Sequence, residues 1–459
     1  MQTIEKDIPA GTYLLGKTDI KQLEDDGTVS EIDDAIGKKL QSLKKKEIGM
    51  LSKGLVVTDS NNKIVYKEGS SHLQHFFPNL IRDFAFLAYE YARFKKPLPI
   101  ISVDSHDVIG CDFRCLDCLS GNGMYVAHSE VNNGFEPPLD RYLHILSEIA
   151  AYSKKRGVES VRFEQSGEGN PDFYKYRPEL IKEAKERYGM DTVYITTGSM
   201  MSEALMQSLV KYAAFIRISF PGIDQRTYGL YSRNERYTFN DSIERLKKLV
   251  EIRKQVGREK ELLIGVRVAL RPEEDPLYYD FGKLIKSIGV DCIQVVKILA
   301  PTGLPFKSHP VSQLCKDQLA ALKSLENEDF NIALPSVLDY MYYERIIENM
   351  DDFPSKCYSS LIQPVLTGSG LFVCTKSDVM YSTKYRFGDF KGDAGELEQF
   401  MSKENVERVE KYIPETCTTC GNIFDNMLFG NVVKLANKTN EPLSFYEVIE
   451  IGRATNKLQ

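Results

Sequence analysis

Three cysteines fall within eight residues, in the run Cys111-Asp112-Phe113-Arg114-Cys115-Leu116-Asp117-Cys118. The C-x3-C-x2-C spacing follows directly on an apolar run, Leu98 to Val103, that reads as a β-strand. Three thiolates so placed can each hold one iron of a [4Fe–4S] cubane, leaving the fourth iron open to a small molecule. A zinc site needs a fourth ligand, which His106 or His128 would supply. The plain alternative is three buried cysteines sharing a loop. Four more thiols, Cys357, Cys374, Cys417 and Cys420, follow a C-x16-C-x42-C-x2-C pattern. They can saturate either a second cluster or a tetrahedral zinc, and spacing does not separate the two. Gly370, shortly before Cys374, suits a hairpin that lets backbone approach the metal.

Two of the nine cysteines stand apart, Cys292 and Cys315. Cys292 opens an apolar run and reads as a buried thiol. An odd count argues against a disulfide framework. The start, Met1 to Asp7, has neither a basic nor an apolar leader segment. No run approaches the roughly 20 apolar residues that span a bilayer. A cytoplasmic protein is therefore expected, with no membrane partner. The formal net charge of -6 lacks the broad positive field that binds nucleic acid without sequence preference.

The elements that must position these thiols are legible in the hydrophobic pattern. At 459 residues the chain has room for about three domains. Residues 1–96 read as a small accessory α/β domain, with helices over 30–47 and 78–94. Between them lies a hairpin of Gly54–Thr58 and Lys63–Tyr66 around Asp59-Ser60-Asn61-Asn62. From residue 97 to 305, strands are expected at 98–103, 160–164, 192–196, 214–220, 262–270 and 292–299. Helices are expected at 138–156, 178–188, 202–212, 239–256 and 278–288. The helix over 239–256 is the clearest, with Ile243, Leu246, Leu249, Val250 and Arg253 at helical spacing and Thr238 or Asn240 as cap. Such alternation predicts an α/β fold of parallel β/α units. Six units suit an open partial (β/α)6 barrel or a doubly wound sheet, with ligands at the carboxyl ends of the strands. A helical linker over 306–350, a cluster-binding domain over 351–435 and a tail over 436–459 complete the expected organisation.

The C-x3-C-x2-C loop resembles that of the radical S-adenosylmethionine (radical SAM) enzymes. The resemblance implies Cys111, Cys115 and Cys118 as ligands of a [4Fe–4S] cluster and S-adenosylmethionine as cofactor or cosubstrate. It also implies a reductant such as flavodoxin or ferredoxin, and hydrogen abstraction from a substrate. Asp117 stands where the family commonly has an aromatic side chain near the adenine. The run Glu164-Gln165-Ser166-Gly167-Glu168-Gly169-Asn170-Pro171 is similar to the family's GGEP-type loop. Ser166, Gly167, Glu168 and Gly169 are then implied as cofactor contacts. Thr196-Thr197-Gly198 resembles the family's T-N-G, and Arg217-Ile218-Ser219-Phe220-Pro221-Gly222 its R-I-S run. Thr197 and Ser219 are implied as cofactor contacts. Arg267 and Lys297, charges inside apolar strands, are expected to face the barrel interior as catalytic or binding groups. Cys315 is a candidate hydrogen-atom donor.

The second cysteine group resembles the "twitch" extension, the shorter form of the SPASM domain, because no cysteine follows Cys420. That implies two [4Fe–4S] clusters in all. The pattern is similar to that of aminocyclitol dehydrogenases, which implies a small polar, carbohydrate-like substrate undergoing oxidation, elimination or epimerisation. A second reading is a peptide maturase with residues 1–96 as a leader-binding module. A third is a non-enzymatic metal-binding scaffold.

Overall fold

The computed structural model describes residues 56–58, 64–67, 91–92, 97–108, 110–116, 118, 137–158, 160–167, 169–234, 236–270, 277–297, 312–334, 356–368, 370–374, 383–410, 430 and 433. The chain divides into two compact units, one of residues 1–97 with 422–459 and one of 98–421. In the first unit, β1 (Val56–Thr58) and β2 (Ile64–Lys67) pair antiparallel, Val57 against Tyr66. This is the expected hairpin. The helix expected over 30–47 lies outside the described residues. Of 78–94 only residues 91 and 92 are described, and both are helical.

The second unit is built on a ten-stranded sheet. Its parallel strands are β3 (Ser102–His106), β4 (Arg162–Gln165), β5 (Asp191–Thr196), β6 (Ala213–Phe220), β7 (Leu263–Leu270), β8 (Cys292–Lys297) and β9 (Asn331–Ala333). They lie side by side in chain order. The order never reverses, so the switch point that defines a doubly wound sheet does not occur among these strands. Seven helices connect or follow them: α1 (Leu139–Lys155), α2 (Arg177–Glu186), α3 (Glu203–Tyr212), α4 (Gln225–Ser232), α5 (Phe239–Val256), α6 (Tyr278–Ile288) and α7 (Gln313–Lys323).

Helix α5 shows how locally these elements are specified. Thr238 caps its amino end in a reciprocal capping box with Asp241, and Gly257 closes it with φ 74°. Such a cap stabilises a helix by about 1 kcal/mol. Its apolar stripe of Ile243, Leu246, Leu249 and Val250 is buried. Arg253, on the same stripe, is buried too, because its guanidinium donates to the carbonyls of Leu262 and Gly289 and pairs with Asp291. Those carbonyls flank β7 and β8, so the helix end is bolted to the sheet.

One face of the sheet carries the apolar core. Ile216, Ile218 and Phe220 of β6, Ile264, Val266 and Val268 of β7, and Ile293 and Val295 of β8 pack with Leu209, Leu246, Leu249 and Ile285 from the helices. The alternate residues of each strand therefore point away from the helices.

Besides α4, which no expected helix covers, two elements differ from the sequence expectation. β3 begins at Ser102 rather than Leu98. Pro99 has no N–H to give a ladder, and the true strand carries Asp104 and His106, which hide its pattern. β9 falls inside the stretch expected as helical linker, because three residues are too few for alternation to register.

The chain after residue 356 adds to the same sheet. α8 (Ser359–Ile362) leads into β10 (Val365–Thr367), which pairs parallel with β3, and then into the antiparallel strands β11 (Gly370–Phe372) and β12 (Arg386–Gly388). Gly370 makes the expected hairpin with φ 132°, and a Cβ there would lie 2.2 Å from the carbonyl oxygen of Gly388. α9 (Glu396–Phe400) and α10 (Lys403–Glu410) follow. Glu398 is held down to about 2 by hydrogen bonds, first from Arg156 and then from Lys155, which tie α9 to α1.

Candidate active site

The cysteine loop leaves the carboxyl end of β3. Before it begins, Asp107 is fixed by Arg177, which is fully buried at the start of α2. The guanidinium donates to Asp107 Oδ1 at 3.0 Å, to Gln165 Oε1 at 2.5 Å and to the carbonyl of Pro171 at 3.0 Å. Burial opposes the charge of Arg177, yet Asp107 and its other neighbours hold its pKa above the ordinary value. One side chain thus clamps the ends of β3 and β4 together.

The loop after β4 zips onto the segment entering the cysteine loop. Backbone N–H groups of Gly167, Gly169 and Asn170 donate to the carbonyls of Ser105, Val108 and Gly110 at 3.2, 3.1 and 2.7 Å. Asn170 is the hub. Its Nδ2 donates to Asp112 Oδ1 at 3.0 Å, Thr197 Oγ1 at 3.2 Å and Ser199 Oγ at 3.2 Å. Its Oδ1 accepts from Thr196 Oγ1 at 3.1 Å and the N–H of Asp172 at 3.2 Å. The ends of β4 and β5 are thereby joined to the cysteine loop through one buried amide.

The far side of the loop is held by α4. The N–H groups of Arg114 and Leu116 donate to the carbonyls of Ser232 and Tyr231 at 3.0 and 2.9 Å, and Asn234 Nδ2 donates to the carbonyl of Asp112. Phe113 is buried, edge-on to Tyr228. α4 is close to the end of β6 because of Gly222, where a Cβ would lie 2.3 Å from the backbone of Thr227 and Tyr228. That explains the glycine of the R-I-S-F-P-G run.

Cys111, Cys115 and Cys118 are all partly buried on this latched loop and in no disulfide, and the Phe113 N–H points at Cys111 Sγ from 3.4 Å. Such N–H contacts favour a thiolate. Among the described residues no group of three or more His, Cys, Asp or Glu is gathered to hold a metal ion. His106 is occupied by Asp104 at 3.1 Å and Ser166 at 3.3 Å, and His128 lies outside the described residues. The donor set, three cysteine thiols on one loop anchored at the strand ends, is of the chemistry that a three-cysteine iron–sulfur cluster requires.

Of the other expected contacts, Ser166 donates to Asp104 Oδ1 at 2.6 Å, and Gly167 and Gly169 form the zipper described above. Thr197 and Ser219 stand at the ends of β5 and β6, and both are partly buried. Arg267 lies on β7 in register with Ser219. Lys297 ends β8, and its side chain lies outside the description, as do Asp117 and Glu168. Cys315 is not brought to this face. It sits on α7 within the apolar core on the helix side, where burial pushes its thiol pKa up. Cys357 and Cys374 are partly buried and in no disulfide, and Cys417 and Cys420 lie outside the described residues. Asn170, Arg177 and Asp107 carry most of the positioning and were not singled out from sequence. Only the place of Asn170 inside the glycine-rich loop could have signalled it.

Asp172 follows this loop and accepts from Tyr194 at 2.8 Å and Thr196 at 2.9 Å. Burial pushes its pKa up from 3.8 to about 6 despite those bonds. The native state then binds the proton more tightly than the unfolded chain, so this group's contribution to stability falls as pH rises from 3.8 to 6. Asp172→Asn keeps an acceptor without the charge. Chemical denaturation should find the variant more stable than wild type above pH 6, by on the order of 3 kcal/mol, with the gap closing below pH 4.

No protein-family profile matches the chain. Its sequence aligns with an S-adenosylmethionine-dependent nucleotide dehydratase from Lacinutrix mariniflava, 29% identical over 147 residues. That is 32% of this chain and 28% of that protein, so the chain matches less than a third of the relative's length. Among solved structures, Streptococcus suis SuiB bound to S-adenosylmethionine superposes with a TM-score of 0.50 at 14% identity, covering 75% of each chain. A second crystal structure of SuiB gives the same score over 90% of this chain and 88% of that one. At that identity the likeness shows a shared fold. The sequence match is to an S-adenosylmethionine-dependent protein, and the fold is shared with an S-adenosylmethionine-binding structure.

Proposed function

We propose that this protein is a radical SAM enzyme whose β/α unit forms a partial (β/α)6 barrel, with Cys111, Cys115 and Cys118 holding the catalytic [4Fe–4S] cluster. The observation that carries the reading is the cysteine loop itself, anchored to three successive strand ends by Arg177, Asn170 and the backbone zipper of residues 167–170. When bound, the cluster and S-adenosylmethionine supply a one-electron reduction that leads to hydrogen abstraction from substrate. The chain's own part is to fix three thiols and to present the polar ends of β4, β5 and β6 beside them. Ser166, Gly167, Glu168, Gly169, Thr197 and Ser219 are the proposed cofactor contacts. Arg267 and Lys297 are assigned to the substrate side.

The substrate is a small polar metabolite. Two features support this: the charged inner face of the sheet, and the nucleotide named for the Lacinutrix relative. Cys357, Cys374, Cys417 and Cys420 are proposed to hold a second cluster that exchanges electrons. The β1–β2 hairpin favours a second reading, in which residues 1–96 bind the leader of a peptide substrate.

Anaerobically reconstituted protein, reduced with dithionite and given S-adenosylmethionine, should release 5′-deoxyadenosine and methionine. A panel of nucleoside triphosphates, aminocyclitols and precursor peptides should then reveal one class that speeds release at least tenfold. Absence of any 5′-deoxyadenosine from protein carrying about four or more irons per chain would remove the radical SAM reading.

A further inference from the structure

The sheet face turned away from the helices is unusually polar for a buried surface. Pairing across the strands puts Asp104 and Glu164 on it, then Phe215, and, two residues along β6, Arg217. Ser219, Arg267 and Gln294 form one row across β6, β7 and β8. Arg217 is 3% exposed, and its Nε and one Nη have no hydrogen-bond partner. Gln294 is 1% exposed, and neither atom of its amide is partnered. Burial pushes Arg217 down to about 9, with Arg267 adding repulsion, and burial lowers Arg267 as well. The carboxylate whose field reaches both, Glu164, is already paired with Arg162 at 2.7 Å.

A buried guanidinium with two unmet nitrogens beside a second, partly buried one is costly, and so is a buried amide with both ends unmet. A folded chain keeps such a cluster at little benefit to itself, and an incoming oxyanion would satisfy the guanidinium donors and the Gln294 Nε2. Each guanidinium presents a planar fork that matches carboxylate or phosphate, and the Gln294 amide adds a neutral donor. Behind this row the face is closed. A Cβ on Gly265 would lie 2.6 Å from Cys292 Sγ and 2.8 Å from the Phe215 ring. The row lies on β6 to β8, whereas the cysteine loop leaves the end of β3 at the other side of the parallel strands.

We propose that Arg217, Arg267 and Gln294 form an oxyanion-binding site that takes the phosphate or carboxylate of the substrate. The assignment of that oxyanion to a substrate rests on the radical SAM reading above. The response of the cluster to S-adenosylmethionine in the variants below separates that oxyanion from the cofactor's own carboxylate.

The test uses the full reconstituted chain and three variants, Arg217→Met, Arg267→Gln and Gln294→Leu. Thermal unfolding is followed with and without pyrophosphate and, separately, succinate. At least one anion should raise the wild-type Tm, and each variant should need at least tenfold more of it for the same shift. Without anion, Arg217→Met should melt no lower than wild type, since it removes an uncompensated charge. A shift with pyrophosphate alone assigns a phosphate, and one with succinate alone a carboxylate. The proposal is overturned if neither anion shifts wild type, or if both arginine variants respond as wild type does. It is also overturned if the variants lose the spectroscopic response of the cluster to S-adenosylmethionine, which would give the site to the cofactor. If wild type shows the anion effect but no response to S-adenosylmethionine, the radical SAM reading fails while the oxyanion site stands.

Discussion

Replacing any one of Cys111, Cys115 and Cys118 by Ala is expected to lower bound iron and sulfide by about four atoms each per chain. Formation of 5′-deoxyadenosine should fall to background in the same samples. The three thiols act as a unit, because a cubane held by two cysteines loses an iron corner and is displaced by competing thiols. The chain should stay folded, since the loop is fixed by bonds that none of the three side chains makes. Arg114 and Leu116 donate through their backbones to α4, and Asn170 grips Asp112. Cys292→Ser and Cys315→Ala serve as controls. Both thiols are buried away from the loop, and burial pushes Cys292 up to about 12, so it carries almost no thiolate at neutral pH. Iron content should be unchanged in both. Loss of iron in the controls, or full iron in the three loop variants, would contradict the ligand assignment.

Arg177→Met should destabilise the folded chain by about 3–5 kcal/mol, the usual cost of leaving one partner of a buried ion pair behind. Asp107 would keep its charge in a place where it is 1% exposed and has lost its principal donor. Gln165 and the carbonyl of Pro171 would lose theirs as well. Arg177→Lys should recover less than half of the loss, because an ammonium cannot bridge Asp107, Gln165 and Pro171 at once. The double variant Arg177→Met, Asp107→Asn should be more stable than Arg177→Met alone, since the stranded charge is gone. Equilibrium denaturation of wild type, Arg177→Met, Asp107→Asn and the double variant closes this cycle. A difference under 1 kcal/mol for Arg177→Met would show that the clamp is not energetically important. Cluster loading is a second readout, because Asp107 stands only four residues before Cys111.

Much of this site could be read before any coordinates. The cysteine spacing identified the loop, and strand–helix alternation placed five helices within two residues of where they lie, from α1 to α6 with α4 unforeseen. Those signals are local. A helix is announced by its own stripe and caps, as Thr238, Asp241 and Gly257 announce α5. The strands facing the helices are announced by runs such as Leu263–Leu270. β3 was displaced because its inner face carries Asp104 and His106, so the very residues that line the site erased the apolar pattern.

Spacing along the chain thus specified the thiols, the order of the β/α units and the ends of the best-capped helices, since each depends on neighbours a few residues away. Pairing across the folded molecule alone revealed that Arg177 reaches Asp107 over 70 residues and that Asn170 grips Asp112 over 58. It likewise put Arg217, Arg267 and Gln294 on one buried face. Hydrogen bonds and charge contacts at such separations leave no periodic trace in a sequence, because what selects the residue is the environment that the rest of the chain builds around it.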